Sequence, residues 1–237
     1  MPLLTGVTGF KPITVKDLLT VKNSGMVPGI STMIPDKPEI IYQPLYDRVN
    51  YPQVGIANIN FFATVRGQTA AALITGGAAA ARVKTLRDTN MDQVNVMSAK
   101  GFIMYGVAIG YVPLGCGVAV AALQNFADDI YRIASGGFLE IKFIDKPYVQ
   151  LPLLMIPSPF SFHNSHMATT GNNLTMGGPG GMGDGMPTRP FVFDPPYLIA
   201  PNENFTISAT LDGTALTAGN TIDIVIALMG YVLRPAQ

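Results

Sequence analysis

The sequence is poor in charge, in cysteine and in histidine, and it has no tryptophan. Asp, Glu, Lys and Arg make up 13% of its 237 residues, about half of the ~25% found in ordinary soluble domains. Disorder does not explain the shortage, because 48% of the residues are apolar and mean hydropathy is +0.32. Disordered chains combine low hydrophobicity with high net charge, and the net charge here is zero. A neutral chain also argues against binding nucleic acid with the whole protein. The single cysteine, Cys116, excludes an intrachain disulfide framework and a cysteine zinc site, and reads as a small buried or half-buried thiol. A surface with so little charge tends to associate, so much of it is expected to lie against other subunits.

What is abundant points to strands and turns. Gly (25) and Pro (19) are too frequent for a helical bundle and suit short strands joined by many turns. Residues 1–50 read as an extended arm, with Pro2, Pro12, Pro28, Pro35, Pro38 and Pro44 barring long helices. Its apolar anchors Ile30, Met33, Ile34, Ile40, Ile41 and Tyr42 imply docking on the chain's own domain or on a neighbour. Residues 51–237 then read as a β-sandwich domain. Alternation marks a strand at Val54–Val65, while Ala70–Ala81, broken by Gly76-Gly77, fits either a short helix or a strand of small residues. Arg82, Lys84, Arg87, Asp88 and Asp92 form a charge cluster, read as a solvated face or a subunit contact.

Gly101–Leu123 runs 23 residues without a charge, long enough to span a bilayer. Its glycines and Pro113 instead suit a buried strand over Gly101–Tyr111, a turn and the start of a helix. Helical spacing of Val118, Ala121, Ala122, Leu123, Phe126, Ile130 and Ile133 predicts one main helix over about 118–134, stopped by Gly136-Gly137. Asp128 and Asp129 are adjacent on it, so they diverge and read as a solvated face. Phe138–Ile144 alternates as a half-buried strand, and Asp145-Lys-Pro147 turns into an edge-like strand limited by Pro152 and Pro157. Phe205–Leu211 and Ile222–Leu233 are the closing strands. Residues 147–183 carry no charge at all, and the Gly/Met/Asn-rich loop of about 158–190 within and beyond them is expected to be covered by a partner, with Met176, Met182 and Met186 as its contact residues.

Chemistry is sparse. Gly178-Pro-Gly-Gly-Met-Gly183 spells a dinucleotide fingerprint, but no strand precedes it and no helix follows. His163 and His166, the only histidines, form a weak candidate metal pair that lacks a third ligand, and they read more simply as loop residues. There is no nucleophile elbow and no P-loop. No enzyme activity, cofactor or small-molecule ligand is therefore expected.

Several segments follow one another in a telling order: the arm, Thr89-Asn-Met-Asp-Gln93, the strand Gly101–Tyr111, and a helix ending Asp129-Ile-Tyr-Arg-Ile-Ala-Ser-Gly-Gly137. Next come Phe138-Leu-Glu-Ile-Lys-Phe-Ile-Asp-Lys-Pro-Tyr148, a proline-bounded strand, Pro190-Phe-Val-Phe193, Pro201-Asn-Glu-Asn-Phe205 and Gly230-Tyr-Val-Leu-Arg-Pro235. Over roughly residues 50–237 this layout resembles the jelly-roll (β-sandwich) capsid proteins of tail-less, often membrane-containing icosahedral phages. The resemblance implies an all-β, jelly-roll-like antiparallel sandwich and a coat subunit that self-assembles in a virion. Its partners would be copies of itself and other virion proteins. It implies no catalytic residues. Residues 1–100 hold ten basic against six acidic side chains, so an internal lipid membrane or the genome is a candidate partner for that part. With no signal peptide at Met1-Pro2, synthesis in the host cytoplasm is expected. The alternative class is a phage spike, or a receptor- or carbohydrate-binding sandwich module.

Overall fold

The computed structural model describes residues 38–75, 78–97, 100–114, 120–157, 167–170, 173–176, 190–217 and 221–235. They form an antiparallel β-sandwich of two sheets, with two smaller hairpins and one α-helix. The strands are β1 (Pro38–Tyr42), β2 (Leu45–Tyr51), β3 (Asn58–Phe61), β4 (Thr69–Thr75), β5 (Ala78–Val83) and β6 (Gly101–Leu114). Helix α1 (Val120–Ser135) follows, then β7 (Phe138–Phe143), β8 (Lys146–Pro152), β9 (Met167–Thr170), β10 (Asn173–Met176), β11 (Phe191–Ile199), β12 (Phe205–Thr210) and β13 (Thr221–Pro235).

One sheet has the order β2-β13-β6-β11, with β1 beside β13 on the same edge as β2, and the facing sheet β3-β12-β7-β8. The chain passes from sheet to sheet between β2 and β3, β3 and β6, β6 and β7, β8 and β11, and at each step from β11 to β13. Eight strands wound this way make a jelly roll. Hairpin β4–β5 is inserted between β3 and β6, α1 between β6 and β7, and hairpin β9–β10 between β8 and β11. The fold expected from the sequence is the one observed.

Alternation fixes which side chains fill the space between the sheets. Ile222, Ile224, Ile226 and Leu228 of β13 face Leu139, Ile141, Phe205 and Ile207 of the second sheet within one continuous buried cluster. Phe102, Met104, Val107 and Ile109 of β6 join the same cluster, and a register shift between Met229 and Gly230 keeps both halves of this long strand pair facing inward. On the side where β8 and β11 form the sheet edges, rings close the gap. Phe193 lies 5.3 Å from Tyr197, which meets Phe143 at 5.9 Å and Tyr148 at 5.8 Å.

Several sequence expectations change. Residues 38–50, assigned to the arm, pair with β13 as β1 and β2, so the sandwich starts at Pro38 rather than at residue 51. Their prolines (Pro38, Pro44) sit at the start of one strand and in the gap between the two, where a missing N–H costs no ladder bond. The strand expected over Val54–Val65 shortens to Asn58–Phe61, because Gly55 and Phe62 take left-handed backbone at φ 82° and 60°. The ambiguous alanine stretch is hairpin β4–β5, and Gly101–Leu114, where the bilayer-spanning alternative began, is a strand. Residues 1–37 and most of the 158–190 loop lie outside the described residues.

Gly230 marks the tightest point of the central pair. A Cβ there would come within 2.3 Å of the Ile103 carbonyl oxygen and 2.4 Å of the Phe102 ring. Gly230→Ala is expected to cost about 1–3 kcal/mol, read from urea unfolding midpoints; an unchanged midpoint would mean the two strands separate freely at this position.

Candidate interaction surface and its buried charge latch

The two sheets present opposite chemistries outward. On the second sheet the outward residues are Asn58, Asn60, Thr206, Ser208, Thr210, Glu140, Lys142 and Gln150, with Phe138 at one end. They bond among themselves, Lys142 to Glu140 at 2.6 Å and Gln150 Nε2 to Glu140 at 2.9 Å. This is an ordinary solvated face.

The outward face of the first sheet is apolar. Ile40 and Tyr42 of β1, Leu233, Tyr231, Met229, Ala227 and Val225 of β13, Ile103, Tyr105 and Ala108 of β6, and Leu198 of β11 all point that way. Ile103 and Leu233, backed by Ile40 and Leu198, form a buried apolar cluster of their own, separate from the main core, and Ala108 and Ala227 are likewise covered within the subunit. Tyr42 is exposed, and Ile40, Tyr105, Leu198, Val225, Met229 and Tyr231 are half-buried. Tyr231 packs against Tyr42 at 5.6 Å and Tyr105 at 5.9 Å, and the Tyr105 hydroxyl donates to that of Tyr42 at 3.3 Å. Burial, with the neighbouring tyrosines, pushes the Tyr105 phenol well above its ordinary pKa.

At the other end of this sheet six charged side chains lie close together. On the inward side of β2, Asp47 is fully buried. Its Oδ1 accepts from Lys84 Nζ at 2.6 Å and its Oδ2 from the Phe62 N–H at 2.7 Å, and the Thr89 hydroxyl also bonds to it. Asp88, equally buried, accepts a fork from Arg82 at 2.5 and 2.6 Å, and the Thr85 N–H at 2.9 Å. On the outward face Asp223 accepts from Arg48 Nε at 2.5 Å and Asn50 Nδ2 at 2.9 Å. Tyr46 adds two ties, its hydroxyl donating to the Leu86 carbonyl and its N–H to Asn90 Oδ1.

Three carboxylates and three cations thus cancel: Lys84–Asp47 ties the segment 84–97 to β2, Arg82–Asp88 braces β5 against that segment, and Arg48–Asp223 joins β2 to β13. Burial raises the pKa of Asp47 above the usual aspartate value, outweighing the pull of Lys84. Burial acts on Asp88 too, but hydrogen bonds from Arg82 and Thr85 prevail and lower it. Their spacing in sequence places Arg82, Lys84 and Asp88 in a solvated or intersubunit charge cluster. The structure corrects it for these three, which are spent inside the subunit, and leaves Arg87 and the Arg66–Asp92 pair at the surface. Arg82 and Asp88 pair within the cluster itself, six residues apart, but Asp47, the partner of Lys84, lies 37 residues away in sequence, where local charge spacing does not reveal it.

Asp129 is a second correction. Asp128 is exposed as expected, but Asp129 is buried and accepts from Thr217, from its N–H at 3.0 Å and its hydroxyl at 3.1 Å, tying α1 to the loop before β13. Of the residues singled out as contacts, Ile40, Ile41 and Tyr42 lie on β1, where Ile40 and Tyr42 share the apolar outward face and Ile41 points the opposite way beside Val232. Met176 is on β10; Ile30, Met33, Ile34, Met182 and Met186 lie outside the described residues, as do His163 and His166. Among the described residues no three His, Cys, Asp or Glu side chains converge as a metal would require, and no helix is long and apolar enough to cross a membrane. Compared with known protein families, curated proteins and solved structures, the chain matches none.

Asp47→Ala strands a buried ammonium and is expected to cost about 3–5 kcal/mol, whereas the double change Asp47→Leu with Lys84→Met costs far less; chemical denaturation of both variants makes the comparison. Asp88, with its folded pKa lowered, stabilises above the unfolded value of about 3.9, and that stability is lost as pH falls through the folded value. Asp47, with its pKa raised, works in the opposite sense. Asp88→Asn is therefore expected to flatten the acid limb of a Tm-against-pH profile, and an acid limb as steep as in the parent would rule this out.

Proposed function

We propose that the protein is a non-enzymatic capsid subunit that self-assembles into an icosahedral shell. The reading is supported above all by one combination: a jelly-roll strand order with one outward sheet face that is apolar across β1, β13, β6 and β11 and on which Tyr42 is exposed and Ile40, Tyr105, Leu198, Val225, Met229 and Tyr231 are half-exposed. A sandwich that works alone solvates both outward faces. A shell subunit lies among copies of itself and is free to leave one face to neighbours, which also accounts for a charge content near half the norm. The partners are then other copies of the chain and further virion proteins, and the place is the virion. A glycan-binding module is served less well, because sugars stack on coplanar rings, whereas Tyr42 and Tyr105 are tilted 64° and 44° to Tyr231.

Full-length protein is expected to give closed particles by negative-stain microscopy and light scattering. Since β1 and β2 belong to the sandwich, the informative truncation stops at residue 37. Removing residues 1–37 is expected to preserve the thermal transition and to abolish or alter the particles. Unchanged particles would discard the arm's role, and a full-length monomer at every concentration would discard the capsid reading.

A further inference from the structure

Strands β7 and β8 are joined by two residues only, Ile144 and Asp145, with Phe143 paired to Lys146. Both linkers have left-handed backbone, φ 45° and 65°, as the favoured two-residue hairpin turn requires. Asp145 suits that conformation. Ile144 does not, because a β-branched side chain is strained there and Asn or Gly would fit without strain. Nor does Ile144 gain by burial, being 66% exposed. It holds a position that is unfavourable for its backbone and for its side chain alike.

The loop is firmly placed. The Ile144 N–H donates to the Asn204 carbonyl at 3.1 Å, Asn204 bridges to Val96, and the Phe205 N–H donates to the Asn95 carbonyl at 2.9 Å. The exposed Val94 stands one residue from Asn95 in the same knot of loops. At the far end of the same two strands, about 20 Å away at ~3.4 Å per residue, lies an exposed apolar patch. Phe138 is paired there with Pro152, and the 3-10 turn Leu153–Met155 packs against α1, leaving Leu154, Met155 and Tyr131 exposed. Exposed charges flank both ends, Asp145 and Lys146 beside Ile144, Arg132 and Asp128 beside Tyr131, so that opposite signs are available to meet.

We propose that Ile144 is an assembly knob that seats on the Tyr131–Phe138–Leu154–Met155 patch of a second copy, with Asp145 and Lys146 facing Arg132 and Asp128. The contact joins two different surfaces of the same chain, so it is head-to-tail and propagates around a ring or shell instead of stopping at a dimer. It rests on the self-assembly reading above and names the surfaces that reading uses.

Sedimentation velocity and thermal unfolding of three proteins test it. The wild type is expected to associate with rising concentration. Ile144→Asn relieves the turn and removes the knob, so Tm rises by a few degrees while association weakens about tenfold or more. Leu154→Ser with Met155→Ser, at exposed positions, leaves Tm within a degree or two and weakens association to a similar extent. Mixed in equal amounts, the two variants retain one intact knob and one intact patch between them, so they form heterodimers and nothing larger. A lowered Tm for Ile144→Asn overturns the strain argument. Wild-type association in either variant overturns the contact while the capsid reading stands, and a mixture that stays monomeric overturns its head-to-tail form. A wild type that never associates removes the capsid reading and this contact together.

Discussion

The structure depends on β13 being paired along both edges at once. Its fifteen residues meet β6 on one side, and β1 and β2, laid end to end, on the other. A slip of one residue would turn Ile222, Ile224, Ile226 and Leu228 out of the core and move Asp223 away from Arg48 and Asn50. The first error exposes four large apolar side chains, and the second leaves a buried carboxylate without its partners. Hydrophobic alternation and ion pairing thus specify the same register from opposite faces of the same strand. Once it is set, the paired strands β6 and β2 have their places, and the second sheet is aligned through the shared core.

The charge latch extends that order to the insertion between β3 and β6. The described hairpin and the segment after it are too small to build a core, and short hairpins are marginal alone. Asp47 gives this insertion a fixed partner on β2 through Lys84, Asp88 braces β5 against segment 84–97 through Arg82, and Asp223 with Arg48 locks β2 to β13 beneath it. Buried pairs of this kind contribute less to net stability than to position, because desolvation consumes much of the attraction. Here Lys84–Asp47 holds the insertion in one place against β2.

How far the sequence reached depended on the range of the interaction involved. Period-two alternation is local, so β7, β12 and β13 were legible, and so was the fully apolar β6 between two neighbours. Helix α1 was legible from its 3.6-residue spacing, with its end at Gly136-Gly137. Residues 38–50 were misassigned because proline spacing speaks only of the backbone, while their pairing partner lies about 180 residues away on β13. The burial of Asp47, Lys84 and Asp129 was hidden for the same reason, their partners lying 37 and 88 residues away. The apolar outward face could not be read from any one strand, since Tyr42, Tyr105 and Tyr231 come together only through strand pairing.

The latch has a consequence for the solvent-facing surface. Six of the chain's thirty charged residues are committed to it, so a surface already short of charge has still less to offer. Simple salt screens exposed charges and leaves apolar contact intact, whereas hydrophobic attraction fades in the cold. On the proposed reading, contacts made by the apolar face would therefore be governed by temperature more than by simple salt: chilling would loosen them, screening would not.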